Sequence, residues 1–369
     1  MDSISIKNYK NLRDLKIASL SKVNLIVGMN NSGKSTLLEA ISIVVSGGDI
    51  AQFKKIFEMR GLEDRIRYTN YYDGVAGERE RDNFLTLYNN LDYEDSKKIE
   101  IETLYQGNKN TLLVEMVNVV EEWFTENNGD SVRRRRVLEA GDEYLGLNAQ
   151  QGLMITKNAK QEYLSSFANM RSRFFDNKKV NYQYVHTSST SSIDNPNYFD
   201  AIALTDLEQE LIHALNIIEP QIEAINFLKF YSSPNSKEDN RVPIVVYKGS
   251  AKRYRLSTMG DGINRILTIM LAMLNCKGGV LLVDEFDNGL HYSVQTKLWE
   301  VIYHLANVLN IQVFATTHSD DCIKSFIKAD ASGDGKLIRL ENRDGDIVSV
   351  EYDEPDELDY ISTSNIEVR

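Results

Sequence analysis

The chain has 369 residues, 42% of them hydrophobic, and a formal net charge of −12; it can bury a large core in one domain or two. That charge excludes a surface generally adhesive to nucleic acid, so DNA contact is left only to a local basic groove. No apolar run has the length of a bilayer crossing, the start Met1-Asp2-Ser3-Ile4-Ser5 lacks a signal-peptide core, and the two cysteines, Cys276 and Cys322, sit beside apolar helical patterns, so a cytoplasmic protein with buried thiols and no membrane contact is expected.

In chain order, Ile4-Ser5-Ile6 and Leu15-Lys16-Ile17 read as strands joined through Asn8 to Asp14, and Val23 to Val27 as a buried strand. Gly28-Met29-Asn30-Asn31-Ser32-Gly33-Lys34-Ser35-Thr36 then fits G-x-x-x-x-G-K-[ST], and apolar helical spacing follows as far as Gly47-Gly48. Strand, glycine-rich loop and helix in that order make a phosphate-binding P-loop. Backbone N–H groups along Asn30, Asn31, Ser32, Gly33 and Thr36 curl round phosphate oxygens at a helix N-terminus, Lys34 reaches the β and γ phosphates of ATP, and the Ser35 hydroxyl faces Mg²⁺. A helix is expected over 51–60, with strands at Lys98 to Leu104, Thr111 to Val117 and Gly152 to Ile155, all read as an insertion. Leu207 to Ile217 has amphipathic spacing, and Ile222 to Phe230 reads as a strand returning to the main sheet.

From Arg241 the order is strand, loop, helix, strand, helix, strand, ending in a hairpin at Asp344-Gly345. The expected division is therefore an N-terminal core part over 1–75, an inserted α+β region over 76–235 and a C-terminal core part over 236–369. Gly278-Gly279-Val280-Leu281-Leu282-Val283-Asp284-Glu285 has the form of a buried parallel strand ending in two acids. It resembles a Walker B motif, with Asp284 holding Mg²⁺ and Glu285 acting as the base for the attacking water. A third strand, Ile311 to Thr316, ends in Thr317-His318-Ser319 and makes His318 a candidate γ-phosphate sensor. Leu256-Ser257-Thr258-Met259-Gly260-Asp261-Gly262 precedes an apolar helix, Ile263 to Leu274, and so forms a second glycine-rich turn at a helix N-terminus. One triphosphate seldom uses two such turns from one subunit, so Ser257, Gly260, Asp261 and Gly262 are expected to reach the nucleotide of a second copy.

Together these motifs resemble an ABC-class ATPase head with a mixed sheet, in the RecF/SMC-related branch, and more closely the OLD-like (overcoming-lysogenization-defect) ATPases. Val23 to Ile41, Asp284-Glu285-Phe286-Asp287-Asn288-Gly289-Leu290-His291 and Thr316-Thr317-His318-Ser319 carry the resemblance. It implies that Leu290-His291 is the D-loop touching a partner subunit and that Gly260-Asp261-Gly262 closes on the γ-phosphate. It also departs from the family: Gly260 stands where the signature has serine, and the Q-loop glutamine is unassigned, with Gln106 and Gln183 as candidates. Some fifty residues follow His318, too few for the TOPRIM nuclease that many OLD proteins carry. The resemblance therefore implies a stand-alone ATPase, a homodimer or higher even oligomer, paired with a separately encoded nuclease or toxin as in the anti-phage systems Septu and PARIS. A DNA-repair clamp of the RecF/SMC kind is the alternative, and a transporter subunit ranks third.

Weaker signals complete the inventory. Asp330 to Gly335 with Glu341 approaches an EF-hand loop, but strands rather than an exiting helix are expected after it. Arg133 to Arg136 reads either as a solvated loop or as a contact for phosphate or an acidic partner. The acidic stretch Asp353 to Glu357 reads as a solvated linker and Ser188 to Ser192 as a loop.

Overall fold

The computed structural model describes residues 1–60, 84–89, 98–125, 131–138, 150–164, 180–187, 194–229, 241–352, 357, 358, 360 and 361. The Ser188 to Ser192 stretch, most of the acidic linker and both expected domain boundaries lie outside them. The chain divides into two compact units, one of Met1–Ala18, Glu39–Lys179 and Asn342–Val348, the other of Ser19–Leu38, Val180–Glu341 and Ser349–Arg369. Elements are numbered in chain order across both.

The first unit is built on antiparallel pairing. β1 (Ser3–Tyr9) and β2 (Leu12–Ile17) form a hairpin, and β1 also pairs with β4 (Ile99–Tyr105), which leads on to β5 (Asn108–Thr125), β7 (Gln150–Lys157) and β8 (Lys160–Leu164), with β6 (Ser131–Val137) on β5. The N-terminal hairpin, expected to belong with the P-loop, thus shares a sheet with the strands expected to be an insertion. Its alternation is that of a half-buried sheet: Ile4, Ile6, Leu15 and Ile17 are buried between polar neighbours. The turns Gln106-Gly107 and Asn158-Ala159 have positive φ at both residues, at 49° and 78° and at 48° and 63°, the twist that tight hairpins require. Arg133 to Arg136, for which a solvated loop was one of two readings, lie in β6, backbone-paired opposite Val120 to Trp123. That pairing extends β5 well past the expected Val117.

Helices α1 (Lys34–Val45) and α2 (Ile50–Met59) follow the P-loop, and α1 ends as expected, where Gly47 and Gly48 at φ 80° and 77° take up the last carbonyls. Glu39 on α1 is buried and accepts hydrogen bonds from Lys10, from Arg60 Nη2 at 2.8 Å and from Tyr9 Oη at 3.3 Å. Burial pushes the Lys10 ammonium down from 10.5 to about 8, against the pull of Glu39 and helped by Arg60. A folded-state value below the unfolded one means that the unfolded chain binds more protons between those two values, so this group's contribution to stability rises with pH across that window. Wild type should therefore gain in melting temperature on Lys10→Met between pH 8 and 10. A gap that stays constant or narrows would refute the assignment.

A six-stranded sheet, most of it in the second unit, runs β16 (Asp346–Tyr352), β15 (Gly335–Arg343), β3 (Val23–Val27), β14 (Gln312–Thr316), β13 (Val280–Val283), β9 (Tyr182–Val185). β3 is parallel to β15 and β14, and β13 to β14 and β9. β3 and β13 are buried along their whole length, as strands covered on both faces must be. Helices α3 (Asn195–Ile202), α4 (Asp206–Leu215), α5 (Asp261–Leu274), α6 (Tyr292–Val308) and α7 (Asp320–Ala329) contribute to one apolar core that includes Ile266, Met270, Leu298, Trp299 and Phe326. Both thiols, Cys276 and Cys322, are free and buried.

One expected strand lies elsewhere. β10 (Ile222–Lys229) pairs with β11 (Arg241–Tyr247) and β11 with β12 (Arg253–Arg255) in a separate antiparallel sheet, not the main one. Its residues alternate between buried and exposed, which suits a sheet with one wet face and not the doubly covered parallel sheet. The place by β13 goes to β9, whose Tyr-Gln-Tyr-Val sequence is too short to stand out.

Candidate nucleotide site

The strand order sets the site. β14 lies between the P-loop strand β3 and β13, so Thr316 at the end of β14 falls between Ser35 and Asp284, at the carboxyl edge where parallel sheets bind ligands. A Cβ on Gly28, at φ 148°, would come within 2.3 Å of the Leu340 carbonyl oxygen and 2.6 Å of Ser32 Oγ. Asn31 and Gly33 hold φ of 62° and 90°, the succession of left-handed residues that turns N–H groups into one concavity. Gly28→Ala should cost a few kcal/mol, with ~1–3 from backbone strain and the rest from the clash with Leu340. Thermal unfolding measures it, and a melting temperature equal to wild type would refute the packing.

Lys34 Nζ donates to the Gly28 and Met29 carbonyls at 2.7 and 2.9 Å, arching back over the loop. Burial holds its pKa below the usual lysine value, while Asp284, Glu285 and Asp287 pull the other way. Ser35 Oγ donates to Asp284 Oδ1 at 3.0 Å, which brings together the two residues expected at the metal. A hydroxyl and a carboxylate beside a phosphate loop are the hard oxygen donors that suit Mg²⁺.

Thr316 Oγ1 donates to the same Asp284 Oδ1 at 2.7 Å, and Thr187 Oγ1 donates to Oδ2 at 3.3 Å. Glu285 has φ 47°, an uncommon conformation for a non-glycine residue. Its N–H donates to Thr316 Oγ1 at 2.8 Å, and the N–H of Phe286 donates to the Thr316 carbonyl at 2.8 Å. Arg265, 1% exposed on α5, donates through Nη2 to the Asp284 and Glu285 carbonyls at 2.6 and 3.0 Å and through Nη1 to the His186 carbonyl at 2.9 Å. Phe286 stacks on Trp299 at 3.9 Å between ring centroids, anchoring the loop beyond.

His318 is exposed just past β14. Its neighbours fix its backbone: Thr317 Oγ1 donates to Asp287 Oδ1 at 2.5 Å and accepts the Ser319 N–H at 3.0 Å, while Ser319 caps α7. The second glycine-rich turn differs from expectation in its boundary. Leu256–Met259 is a 3-10 turn, Gly260 at φ 98° caps α5, and Asp261 and Gly262 already belong to the helix. Ser257, Thr258, Gly260 and Asp261 are exposed. Gly262 packs in its own chain, where a Cβ would come within 2.9 Å of the Gly289 carbonyl oxygen; close backbone approach is one reason for glycine there. Leu290 is buried, and His291 caps α6.

Among the described residues, the hydrogen bonds uniting Ser35, Asp284, Thr316 and Glu285 do not extend to Ser257, Gly260 or Asp261. Gln183 on β9 accepts from Tyr198 Oη at 2.7 Å, while Gln106 sits in a hairpin turn of the other unit. Asp330 gives both carboxylate oxygens to the backbone N–H groups of Gly333, Asp334 and Gly335, and the strand β15 follows as expected. Sequence reasoning assigned no role to Thr187, Thr316 or Arg265. Only Arg265 left a signal, as the one charged residue in the mostly apolar stretch Ile263 to Leu274.

Fold and site together define a P-loop nucleotide hydrolase with an SMC-head-like architecture. The sequence model for the AAA ATPase domain matches residues 1–200, and the chain belongs to that family. A second AAA-domain model, associated with the AbiEii toxin and type IV TA systems, matches residues 160–321. An ATP/GTP phosphatase of Helicobacter pylori is 25% identical over 88% of this chain and 86% of its own length. The Septu protein PtuA of Bacillus thuringiensis is 22% identical over 87% of this chain and 72% of its own. Among solved structures, an SMC head bound to the C-winged helix domain of ScpA superposes with a TM-score of 0.50 at 14% identity, covering 97% of this chain and 99% of that one; the likeness is one of fold. No described helix is long and apolar enough to cross a membrane.

Proposed function

We propose that the chain is an OLD-like ATPase that binds ATP with Mg²⁺, dimerises around the nucleotide and controls a separately encoded nuclease or toxin in anti-phage defence. The observation that carries the hydrolytic part is the contact of Ser35 with Asp284 beside Glu285. Ser35 and Asp284 would hold Mg²⁺, which when bound would supply charge neutralisation for the phosphates. The N–H groups of Asn30 to Thr36 and the Lys34 ammonium hold the phosphates, and binding draws Lys34 off the Gly28 and Met29 carbonyls. Glu285 takes a proton from the attacking water through its carboxylate, and His318 contacts the γ-phosphate. The exposed Ser257, Gly260 and Asp261 of a second copy close the pocket, with Leu290-His291 nearby. The length of the PtuA match supports the defence reading, and mass spectrometry of proteins co-purifying from the native host tests it: a nuclease or toxin is expected, whereas salt-sensitive DNA stimulation without such a partner would favour a DNA clamp.

Lys34→Ala should weaken ATP binding at least tenfold by calorimetry, because it removes the charge opposite the β and γ phosphates. Unchanged affinity would overturn the assignment of the loop.

A further inference from the structure

Glu285 combines an uncommon backbone conformation with a full set of backbone partners. Its φ of 47° is one that a residue with a Cβ holds only where its surroundings impose it. Two side chains outside the motif account for the imposition. The Thr316 hydroxyl is fully buried and used twice, accepting the Glu285 N–H at 2.8 Å and donating its proton to Asp284 Oδ1 at 2.7 Å. A hydroxyl has one proton, so this pairing also fixes its direction: the acceptor side serves the backbone of Glu285 and the donor side serves the carboxylate of Asp284. From the other flank, the Arg265 guanidinium spans the carbonyls of Asp284 and Glu285 and, through its other terminal nitrogen, that of His186. Burial holds its pKa below the usual guanidinium value, Asp284, Glu285 and Asp287 pull the other way, and carbonyl dipoles meet the charge.

We propose that Thr316 and Arg265 are positioning residues that hold the peptide units of Asp284 and Glu285 in register, so that one hydroxyl couples the metal-binding carboxylate to the backbone of the base. The assignment rests on the hydrolytic reading of the site. Neither residue touches the reacting atoms. Loss of the Thr316 hydroxyl leaves Asp284 bonded to Ser35 and Thr187, so nucleotide affinity is retained. It frees the N–H of Glu285 and lets that residue leave its left-handed conformation, so the carboxylate samples positions away from the attacking water. A misplacement of that kind acts on turnover rather than on binding.

The variants are Thr316→Val, which keeps the shape and removes the hydroxyl, and Thr316→Ser, which restores it. Three quantities are measured: amide exchange at Glu285 in nucleotide-free protein, ADP affinity, and kcat and KM for ATP. Thr316→Val should raise amide exchange at Glu285 at least tenfold and lower kcat by ten- to a hundredfold, with KM and ADP affinity within threefold of wild type; Thr316→Ser should return both toward wild type. Arg265→Lys, whose single ammonium cannot span three carbonyls, should show the same split and serves if Thr316→Val does not fold. Wild-type kcat in Thr316→Val, protection of the Glu285 amide unchanged, or a loss of kcat that Ser does not rescue would each overturn the proposal. If wild type itself fails to hydrolyse ATP, the hydrolytic reading fails, and amide exchange still decides whether the clamp exists.

Discussion

Glu285→Gln should bind ATP about as tightly as wild type while turnover falls by about 10²-fold or more, the range attributed to a general base. The substitution keeps the side chain's shape and leaves intact what holds the loop: the Glu285 N–H on Thr316, its carbonyl on Arg265, and Asp284 on Ser35, Thr316 and Thr187. Only the capacity to take a proton from water is lost. Since the interaction removed is one made in the transition state, kcat and kcat/KM should fall together and KM should hold steady. ATP should then accumulate on the protein, and any oligomer that depends on bound ATP should persist in size-exclusion chromatography after mixing with Mg²⁺ and ATP. Single-turnover hydrolysis with excess protein measures the chemical step directly. A rate equal to wild type in that experiment would remove Glu285 from the role of base, and a matching loss of ATP affinity would instead make it a binding residue.

Those parts of the site that lie in unbroken stretches of sequence were legible before the fold was known. Val23 to Thr36 needed only the knowledge that a buried strand, a glycine-rich loop and a helix make a phosphate cradle, and Val280 to Glu285 only that acids end a buried parallel strand. The structure adds the contact between Ser35 and Asp284, which residues so far apart in sequence could suggest only by family resemblance. What stayed hidden depends on lateral strand order. Thr316 matters because β14 lies between β3 and β13, and its hydroxyl is spent on groups from β13's end; the motif Thr316-Thr317-His318-Ser319 marks the end of the strand but not what that hydroxyl meets. β10 was misplaced for a related reason, since periodicity reports whether a strand is half-buried but not which sheet covers it. The N-terminal hairpin was grouped with the P-loop by proximity in sequence, whereas β1 pairs with β4, which follows β2, β3, α1 and α2 in the chain.

Mixing two inactive variants should return ATPase activity if each pocket is shared between copies, and the choice of variants follows from the packing. Gly262→Asp, which the sequence alone would suggest, is unsuitable because a Cβ there meets the Gly289 carbonyl oxygen at 2.9 Å in the same chain; inactivity could reflect damage to the variant's own α5. Gly260 at φ 98° is unsuitable as well, since a side chain there carries backbone strain. Ser257 is exposed in the 3-10 turn, so if the pocket is shared Ser257→Glu would set a carboxylate against the γ-phosphate of a partner's nucleotide, and an exposed site accepts the larger side chain. Paired with Lys34→Ala, it yields mixed dimers in which one pocket keeps an intact P-loop and an intact signature while the other carries both lesions. Random mixing makes half of the dimers mixed, and each has one intact pocket of two, so recovery to about a quarter of wild-type activity is the expected ceiling if pockets work independently. Melting temperatures equal to wild type for both variants are the control. Full activity of Ser257→Glu alone would refute the shared pocket, and no recovery with mixed dimers shown to form would mean that both pockets must fire together or that the turn acts within its own subunit.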